Sequence, residues 1–160
     1  MIKLKKILIG FIILFLVGVG IFSKVYFSSM KPVNAAEKKA VSLAKEKVKL
    51  SEVEDFHVYN GTETVHVIEG RNEQDEEIIV WIPEKSKKVF VDKKKNGITK
   101  QDAIDRLLTE KNPKKIISVR LGMEKNIPLW EIYYRSQNNL INYYYVHFNT
   151  GEWLKKIENL

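Results

Sequence analysis

The sequence predicts an α+β protein: two tandem copies of one helix packed on a four-stranded antiparallel sheet, preceded by one transmembrane helix. Three observations predict this fold class. An uncharged apolar run lies near the amino terminus, a helical apolar period is followed by strand-like alternation, and that succession of patterns occurs twice. The short alternating segments and the turn residues between them favour antiparallel meanders over a parallel sheet.

The apolar run Ile7–Ser23 carries no charge. At ~1.5 Å per residue it covers roughly 25 Å, close to the ~30 Å hydrocarbon core of a bilayer. If Lys24 extends its ammonium group toward water, the span continues through Phe27. We therefore expect a transmembrane signal anchor over residues 7–27, with a cytoplasmic tail over residues 1–6.

A cleaved secretory signal peptide is the other interpretation, because a basic start and an apolar core are common to both. The small-x-small sequence Val33-Asn34-Ala35 lies well beyond the apolar run, which favours an uncleaved anchor. Three lysines before the run, Lys3, Lys5 and Lys6, favour a cytoplasmic amino terminus. We expect a single-pass protein of the cell membrane with its carboxyl-terminal domain outside.

Charge and cysteine content limit the function of that outer domain. The net charge is +7, but four lysines lie in the first 24 residues, which hold no acid. The remainder is only mildly basic, which argues against nucleic-acid binding. The chain has no cysteine, so its outer part must be stabilised by core packing and not by disulfides.

The first copy is expected over residues 34–95, after a short tether at 28–33. Asn34 and Glu37 have the spacing of a capping box, which predicts that a helix of about fourteen residues begins there. The alternating pattern then predicts four strands, with an Asn60-Gly61 hairpin turn between the first two. These strands cover residues 53–60, 62–70, 77–83 and 87–92.

The second copy is expected over residues 96–160. Thr99 is a predicted N-cap for a helix that ends before Asn112-Pro113. Strands are predicted at residues 115–122, 128–136, 140–148 and 152–157. Val65-His66-Val67 aligns with Trp130-Glu131-Ile132, which indicates that the two halves are copies of one unit. Each unit is near the lower size limit for independent stability, so we expect the copies to pack together.

The second copy resembles the PepSY-type repeat, on the residues Asp102-Ala103-Ile104, Pro128-Leu129-Trp130-Glu131-Ile132 and Tyr145-Val146-His147-Phe148-Asn149-Thr150-Gly151-Glu152. The first copy has Pro83-Glu84-Lys85 in place of the Thr-Gly turn. Two such copies behind one short-tailed anchor resemble the small YpmB/TseB-like proteins of Gram-positive bacteria. That resemblance implies cystatin-like repeats and regulation of cell-wall elongation through a membrane-bound penicillin-binding protein, without catalytic residues.

No catalytic or metal-binding motif accompanies these repeats. The three histidines, His57, His66 and His147, fall within predicted strands, and none belongs to a nucleophile or zinc motif. We interpret them as sheet-face imidazoles that are bonded locally or face solvent. The acidic loop at residues 73–77 lacks the calcium-binding frame and is interpreted as a solvated loop. We expect no enzyme activity, no cofactor and no small-molecule substrate.

Two groups of lysines flank the last strand of the first copy: Lys85, Lys87 and Lys88, then Lys93, Lys94 and Lys95. One interpretation is contact with anionic headgroups or wall polymers. The other is protection of an edge strand against aggregation.

Aromatic residues are concentrated in the second copy. In the runs Tyr133-Tyr134 and Tyr143-Tyr144-Tyr145 the side chains must alternate between faces, so an aromatic patch should lie outside the helix-covered core. We expect a partner interface there, formed by Trp130, Tyr134, Tyr144 and Trp153. Packing of this face against the first copy is the alternative.

These inferences favour a non-enzymatic, membrane-anchored binding module that regulates cell-wall synthesis through a penicillin-binding protein. The alternative is an inhibitor or chaperone-like partner of an exported peptidase, which the PepSY resemblance also allows.

Overall fold

A computed structural model describes the backbone of residues 2–160 and the side chains of residues 10–26 and 34–160. Helix α1 (Ile2–Val48) leads into strands β1 (Leu50–Asn60), β2 (Thr64–Asn72), β3 (Glu77–Pro83) and β4 (Phe90–Lys93), then helix α2 (Lys100–Glu110) and strands β5 (Lys115–Glu124), β6 (Ile127–Arg135), β7 (Ile141–His147) and β8 (Trp153–Ile157). A 3-10 turn, Lys94–Asn96, precedes α2. Internal contacts divide the chain between Lys39 and Ala40, and residues 40–160 form one compact unit.

The unit Met1–Lys39 lies within α1 from Ile2 onward. Its large apolar side chains between Phe11 and Tyr26 are exposed, Phe22 by 80%. The predicted transmembrane segment 7–27 lies partly outside the described side chains. Among those that are described, no helix is both long and apolar enough to cross a membrane.

The prediction that a new helix begins at Asn34 is wrong, because α1 continues through this position to Val48. Residues 28–33, predicted as a tether, also lie within the bounds of α1. A capping side chain acts on amide groups that lack a helical partner, and such groups occur only in the first turn of a helix. The capping-box spacing at Asn34 and Glu37 therefore does not mark a helix start here.

The first sheet packs one face against the end of α1. Its strand order is β1-β2-β3-β4, antiparallel throughout. Ala40 and Ala44, one helical turn apart, are buried with Ile68, Val80 and Ile82. Small alanine side chains let the helix backbone approach the sheet closely, which explains the alanine-rich pattern of this helix.

The opposite face of the first sheet is also buried. Val65, Val67 and Trp81 are 0% exposed and belong to the same apolar cluster as Leu107 and Phe148 of the second repeat. The prediction that the copies pack together is therefore confirmed. A sheet covered on both faces has near-continuous apolar strands, which is the pattern of β3.

The second sheet has the order β5-β6-β7-β8 and packs one face against α2. Trp130, Ile132 and Tyr144 are buried on that face. The Trp130 indole Nε1 donates a hydrogen bond to the Ile98 carbonyl at 3.1 Å, just before α2 begins. The predicted α+β fold with two tandem helix-and-sheet units is confirmed.

Strand β4 is shorter than predicted and begins at Phe90, not at Lys87. Lys87 has φ +52, a left-handed conformation that belongs to a turn and cannot continue a strand. The turn Glu84–Ser86, which closes with a hydrogen bond from the Lys87 amide to the Pro83 carbonyl at 2.8 Å, and the irregular residues 87–89 therefore precede β4.

Helix α2 begins with the capping box that the sequence indicates at Thr99. The Thr99 hydroxyl accepts a hydrogen bond from the Asp102 amide at 3.1 Å, and the Asp102 carboxylate accepts one from the Thr99 amide at 2.8 Å. Hydrogen bonds from Thr99 hold the pKa of Asp102 below its usual value. A lowered folded-state pKa stabilises the protein at neutral pH, and this contribution is lost as the pH falls through that pKa.

Replacing Thr99 with alanine should lower the free energy of unfolding by about 1 kcal/mol, because a first-turn amide loses its acceptor. Chemical denaturation followed by circular dichroism measures this change. Thr99→Ser keeps the hydroxyl and should remain close to the parent protein. Equal losses in both variants would show that the threonine methyl group, and not the cap, stabilises the helix start.

Candidate binding surfaces

The first repeat contacts β5, an edge strand of the second sheet, through His57. His57 Nε2 lies 2.9 Å from the Leu121 carbonyl oxygen, and His57 Nδ1 lies 3.2 Å from Asp55 Oδ2. A carbonyl oxygen can only accept, so Nε2 donates the hydrogen bond to Leu121. His57 thus satisfies a backbone carbonyl of the edge strand, and its ring nitrogens are both engaged within the fold.

Tyr59, two residues further along β1, lies on the open face of the second sheet. Its ring occupies the space above Gly122, where a Cβ atom would lie 2.6 Å from Tyr59 Cδ2. The Tyr59 hydroxyl donates a hydrogen bond to Glu124 Oε1 at 3.1 Å. Burial, followed by the charges of Glu131 and Glu124, raises the pKa of Tyr59, so the phenol stays neutral. This residue joins the two repeats.

An ion pair between a half-buried guanidinium and a buried carboxylate lies beside Tyr59. Arg120 Nε donates to Glu131 Oε1 at 2.7 Å, and the Glu131 side chain is only 3% exposed. The Arg120 guanidinium also lies 5.4 Å from the centre of the Tyr59 ring, in cation–π contact. Burial and the Glu131 charge raise the pKa of Tyr145 on the adjacent strand. These four side chains form one continuous polar cluster.

A cleft of about 560 Å³ lies between the two repeats. Its walls combine an apolar floor with charged groups of both signs, and its lining includes Asp55, Glu69, Ile79, Lys94, Lys100, Trp130 and Phe148. Glu69 is paired with Lys94 at 3.3 Å, and Asp55 with His57. Glu69 and Lys94 therefore balance each other within the cleft, while Lys100 takes part in no ion pair among the described side chains.

The other two histidines are also engaged locally. His147 Nδ1 accepts hydrogen bonds from the Asn149 amide at 3.1 Å and the Thr150 amide at 3.3 Å. His66 stacks on Phe56 with ring centres 6.0 Å apart. The interpretation of the histidines as sheet-face groups is confirmed.

The acidic loop after β2 closes around Arg71. The Arg71 guanidinium pairs with Glu54, Asp75 and Glu77 at 3.1–3.3 Å. In the same loop, Glu76 pairs with Lys93 at 2.6 Å. The charge of Asp75 is the main cause of the raised pKa of Arg71. Among the described side chains, no cluster of acidic residues or histidines has the arrangement of a metal site.

The predicted aromatic interface is wrong for three of its four residues. Trp130, Tyr134 and Tyr144 are 9%, 3% and 1% exposed and lie in the core beneath α2. Trp153 is 51% exposed, and its contact with a partner stays a prediction.

The error has a simple geometric origin. Within a run of consecutive tyrosines, alternation shows that the faces differ but not which residue faces the helix. Tyr144 lies directly opposite Ile132 and therefore shares its helix-covered face, while Tyr143 pairs with Tyr133 on the open face. The sequence does contain an indication of the buried face. Trp130, Ile132 and Tyr134 are alternate residues of one strand, and together they form the apolar face that α2 must cover.

The alignment of the repeats contains the same one-residue error. In the first sheet, Ile68 of β2 lies opposite Val80 of β3 on the helix-covered face. In the second sheet, Ile132 of β6 lies opposite Tyr144 of β7 on the corresponding face. The sequence alignment paired Val65 with Trp130, which lie on different faces. A shift of one residue in a strand moves every side chain to the opposite face.

The two lysine groups differ in their surroundings. Lys85, Lys87 and Lys88 are exposed, and Lys88 Nζ lies 4.8 Å from the centre of the Phe90 ring. Lys93 and Lys94 are paired with acidic residues of β2 and its loop, while Lys95 is exposed. Strand β4 is the edge of the first sheet, as the edge-protection interpretation requires. Contact of these lysines with anionic surfaces stays a prediction.

The fold and surfaces define a class of protein: a duplicated α+β module in which two helix-and-sheet repeats share one core. A family model described as the cell wall elongation regulator TseB-like domain matches residues 39–83, which lie in the first repeat. The probable cell wall elongation regulator TseB of Bacillus subtilis (strain 168) is 29% identical over 146 residues, covering 91% of each chain. The structure of the YpmB protein from Bacillus subtilis superposes with a TM-score of 0.72 at 30% identity, covering 76% of this chain and 95% of that one.

The chain belongs to the YpmB/TseB family. The sequence resemblance rested on motifs of the second copy, whereas the family model matches the first. The structural similarity, which covers most of the relative, extends the relationship beyond the first repeat.

Proposed function

We propose that this protein is a membrane-anchored, non-enzymatic regulator of cell-wall elongation that acts outside the membrane on a wall-synthesis enzyme of the penicillin-binding class. The observation that carries this proposal is the family relation, since the Bacillus subtilis relative is named as a probable regulator of wall elongation. The polar groups that acid–base chemistry would need, His57 and His147 above all, are committed to hydrogen bonds within the fold. Binding is therefore the function that this arrangement supports best.

The proposed anchor is supported by the uncharged run Ile7–Ser23. Within it, large side chains such as Phe11, Leu14 and Phe22 are more than 65% exposed on α1. A helix with apolar side chains on all sides is stable when an apolar environment surrounds it. The three preceding lysines favour a cytoplasmic amino terminus, which places residues 40–160 outside.

Exposed lysines could strengthen attachment near the membrane. Lys85, Lys87 and Lys88 form an exposed group beside the edge strand β4. Near an anionic surface each lysine contributes about 1 kcal/mol of attraction. We propose contact with anionic headgroups or wall polymers as a secondary role of this group.

A deletion strain of the source organism tests the proposal. Wall growth is measured by incorporation of a fluorescent D-amino acid along the cell, with the full chain restored as one arm. A second arm restores the outer domain as a freely secreted protein. We expect the full chain to restore elongation and the secreted form to do so poorly, because the anchor supplies effective concentration at a membrane-bound partner.

Partner identity is measured in the same strains. The tagged full chain is recovered from crosslinked membranes, and fluorescent penicillin labels any recovered penicillin-binding protein. Unchanged elongation in the deletion strain, together with no penicillin-labelled partner, would refute the proposal. Recovery of an exported peptidase whose activity changes with the added chain would instead favour the peptidase-partner alternative.

A further inference from the structure

The open face of the second sheet carries a row of stacked tyrosines. The rings of Tyr133 and Tyr143 are 4.9 Å apart and inclined by 15°, and those of Tyr143 and Tyr145 are 6.4 Å apart and inclined by 18°. Lys155 Nζ closes one end, 4.4 Å from the centre of the Tyr145 ring. We call Tyr133, Tyr143 and Tyr145 the tyrosine row. Stacking fixes the rings before any partner arrives, which lowers the entropic cost of binding.

Two of the three tyrosines are accessible and have an apolar border, whereas Tyr145 is buried. Tyr133 and Tyr143 are partly exposed, and Ile157, opposite Tyr143 on β8, is 39% exposed. Partly exposed tyrosines beside an exposed aliphatic side chain are typical of the centre of a protein interface.

Charges around the row leave an excess of cations. The two acidic residues of this face, Glu131 and Glu124, are 3% and 12% exposed and are already paired with Arg120 and Lys155. At the other end of the row, Lys115 and Arg135 lie opposite each other on β5 and β6. Neither takes part in any ion pair among the described side chains. The face is therefore complementary to an acidic surface.

The equivalent face of the first sheet is already an interface. By strand register, Ile79 and Trp81 of β3 correspond to Tyr143 and Tyr145 of β7. Ile79 and Trp81 are 1% and 0% exposed, because the second repeat covers them. On the second sheet, Tyr59 of the first repeat reaches over part of this face, and Tyr133 and Tyr143 at the end of the row stay partly exposed.

We propose that the tyrosine row is the docking face of this protein, and that its occupant is an acidic surface of a partner protein. This proposal deepens the proposed function, on which it rests, by assigning the face that the partner contacts. A second copy of this chain is the less favourable occupant, because an identical face would bring a second Lys115 and Arg135 against the first pair, and like charges repel. Carboxylates of the partner would pair with Lys115 and Arg135 while its apolar groups cover Tyr133 and Tyr143.

Site-specific photocrosslinking in living cells tests this face. The full chain carries p-benzoylphenylalanine in place of Tyr143, and a matched control carries it in place of Leu108, which is 51% exposed on α2. We expect an adduct with an acidic protein from position 143 and none from position 108. The double variant Lys115→Glu with Arg135→Glu should lower the adduct yield several-fold, because attraction becomes repulsion.

The possible results distinguish a failure of this docking face from a failure of the proposed function. An adduct of two copies of this chain, a yield unchanged by charge reversal, or an adduct from position 108 alone would overturn the docking face. A penicillin-labelled adduct from position 108 alone would refute the face but leave the proposed function standing. An acidic partner at position 143 without penicillin label would support the face and count against the wall-enzyme partner. No adduct from either position would overturn the docking face, because a partner on the row lies within reach of the probe.

Discussion

Replacing Trp81 with alanine is expected to lower the free energy of unfolding by about 3–5 kcal/mol, the usual cost of truncating a fully buried tryptophan. Trp81 is 0% exposed and belongs to the core that both repeats share. Its ring meets Phe148 of the second repeat edge-on, with ring centres 5.3 Å apart. The loss should therefore weaken the first repeat and its packing against the second together.

The indole nitrogen of Trp81 simplifies this experiment. Nε1 has no hydrogen-bond partner among the described residues, so removing it leaves no acceptor unsatisfied. Trp81→Phe should cost less than Trp81→Ala, because it retains a ring against Phe148. Trp153→Ala is the matched control, since Trp153 is 51% exposed and should change stability little.

Guanidinium denaturation of the detergent-solubilised full chain, followed by circular dichroism, measures these differences. Similar losses for Trp81→Ala and Trp153→Ala would contradict the shared core. A separate early transition in Trp81→Ala, with the second repeat still folded, would instead show that the repeats unfold independently.

Replacing Arg120 with alanine is the second large effect, with an expected loss of about 1–3 kcal/mol, because the guanidinium is 39% exposed and only the carboxylate of the pair is buried. The reason is electrostatic. Glu131 is 3% exposed and loses its partner at 2.7 Å, so a carboxylate remains buried without a cation. The contact between Arg120 and the Tyr59 ring is lost as well, which weakens the junction of the repeats.

A double-mutant cycle of Arg120→Met, Glu131→Leu and their combination separates the energy of the ion pair from that of side-chain packing. Arg120→Met combined with Glu131→Leu removes both charges and should recover most of the stability, because buried pairs replaced by apolar groups of similar volume are often neutral or stabilising. Lys111→Ala is the control, since its partner Glu158 is 30% exposed and such pairs contribute about 0–1 kcal/mol. An equal loss in Arg120→Ala and Lys111→Ala would mean that water reaches Glu131.

Several elements were predictable because their causes are local. The Thr99 capping box needs only residues three apart, and it begins α2 as expected. Strand β6 was predicted at residues 128–136 and observed at Ile127–Arg135, because alternation and turn residues define a strand without reference to the rest of the fold. The fold class followed from such local patterns, repeated twice, whereas the family came from the resemblance of motifs such as Pro128-Leu129-Trp130-Glu131-Ile132.

Candidate surfaces were predictable only in part. The sequence showed that consecutive tyrosines must alternate, and an aromatic row does lie on the open face. Alternation within the run did not by itself decide whether Tyr143 or Tyr144 faces outward, since that choice depends on which face α2 covers. The start predicted at Asn34 failed for a related reason: a capping pattern indicates a helix end only when the preceding backbone is not helical.

By itself, then, the sequence determined the duplicated α+β fold and the strand order within each meander, because periodicity and turn chemistry act over a few residues, and its motifs carried the resemblance to the family. Only the tertiary structure decided which faces are buried. Tyr59 lies over Gly122, and Arg120 pairs with Glu131 beneath it, although Tyr59 is 61 and 72 residues distant from these two residues in sequence. Contacts of this kind leave no local pattern, because they exist only after two separate sheets have packed together.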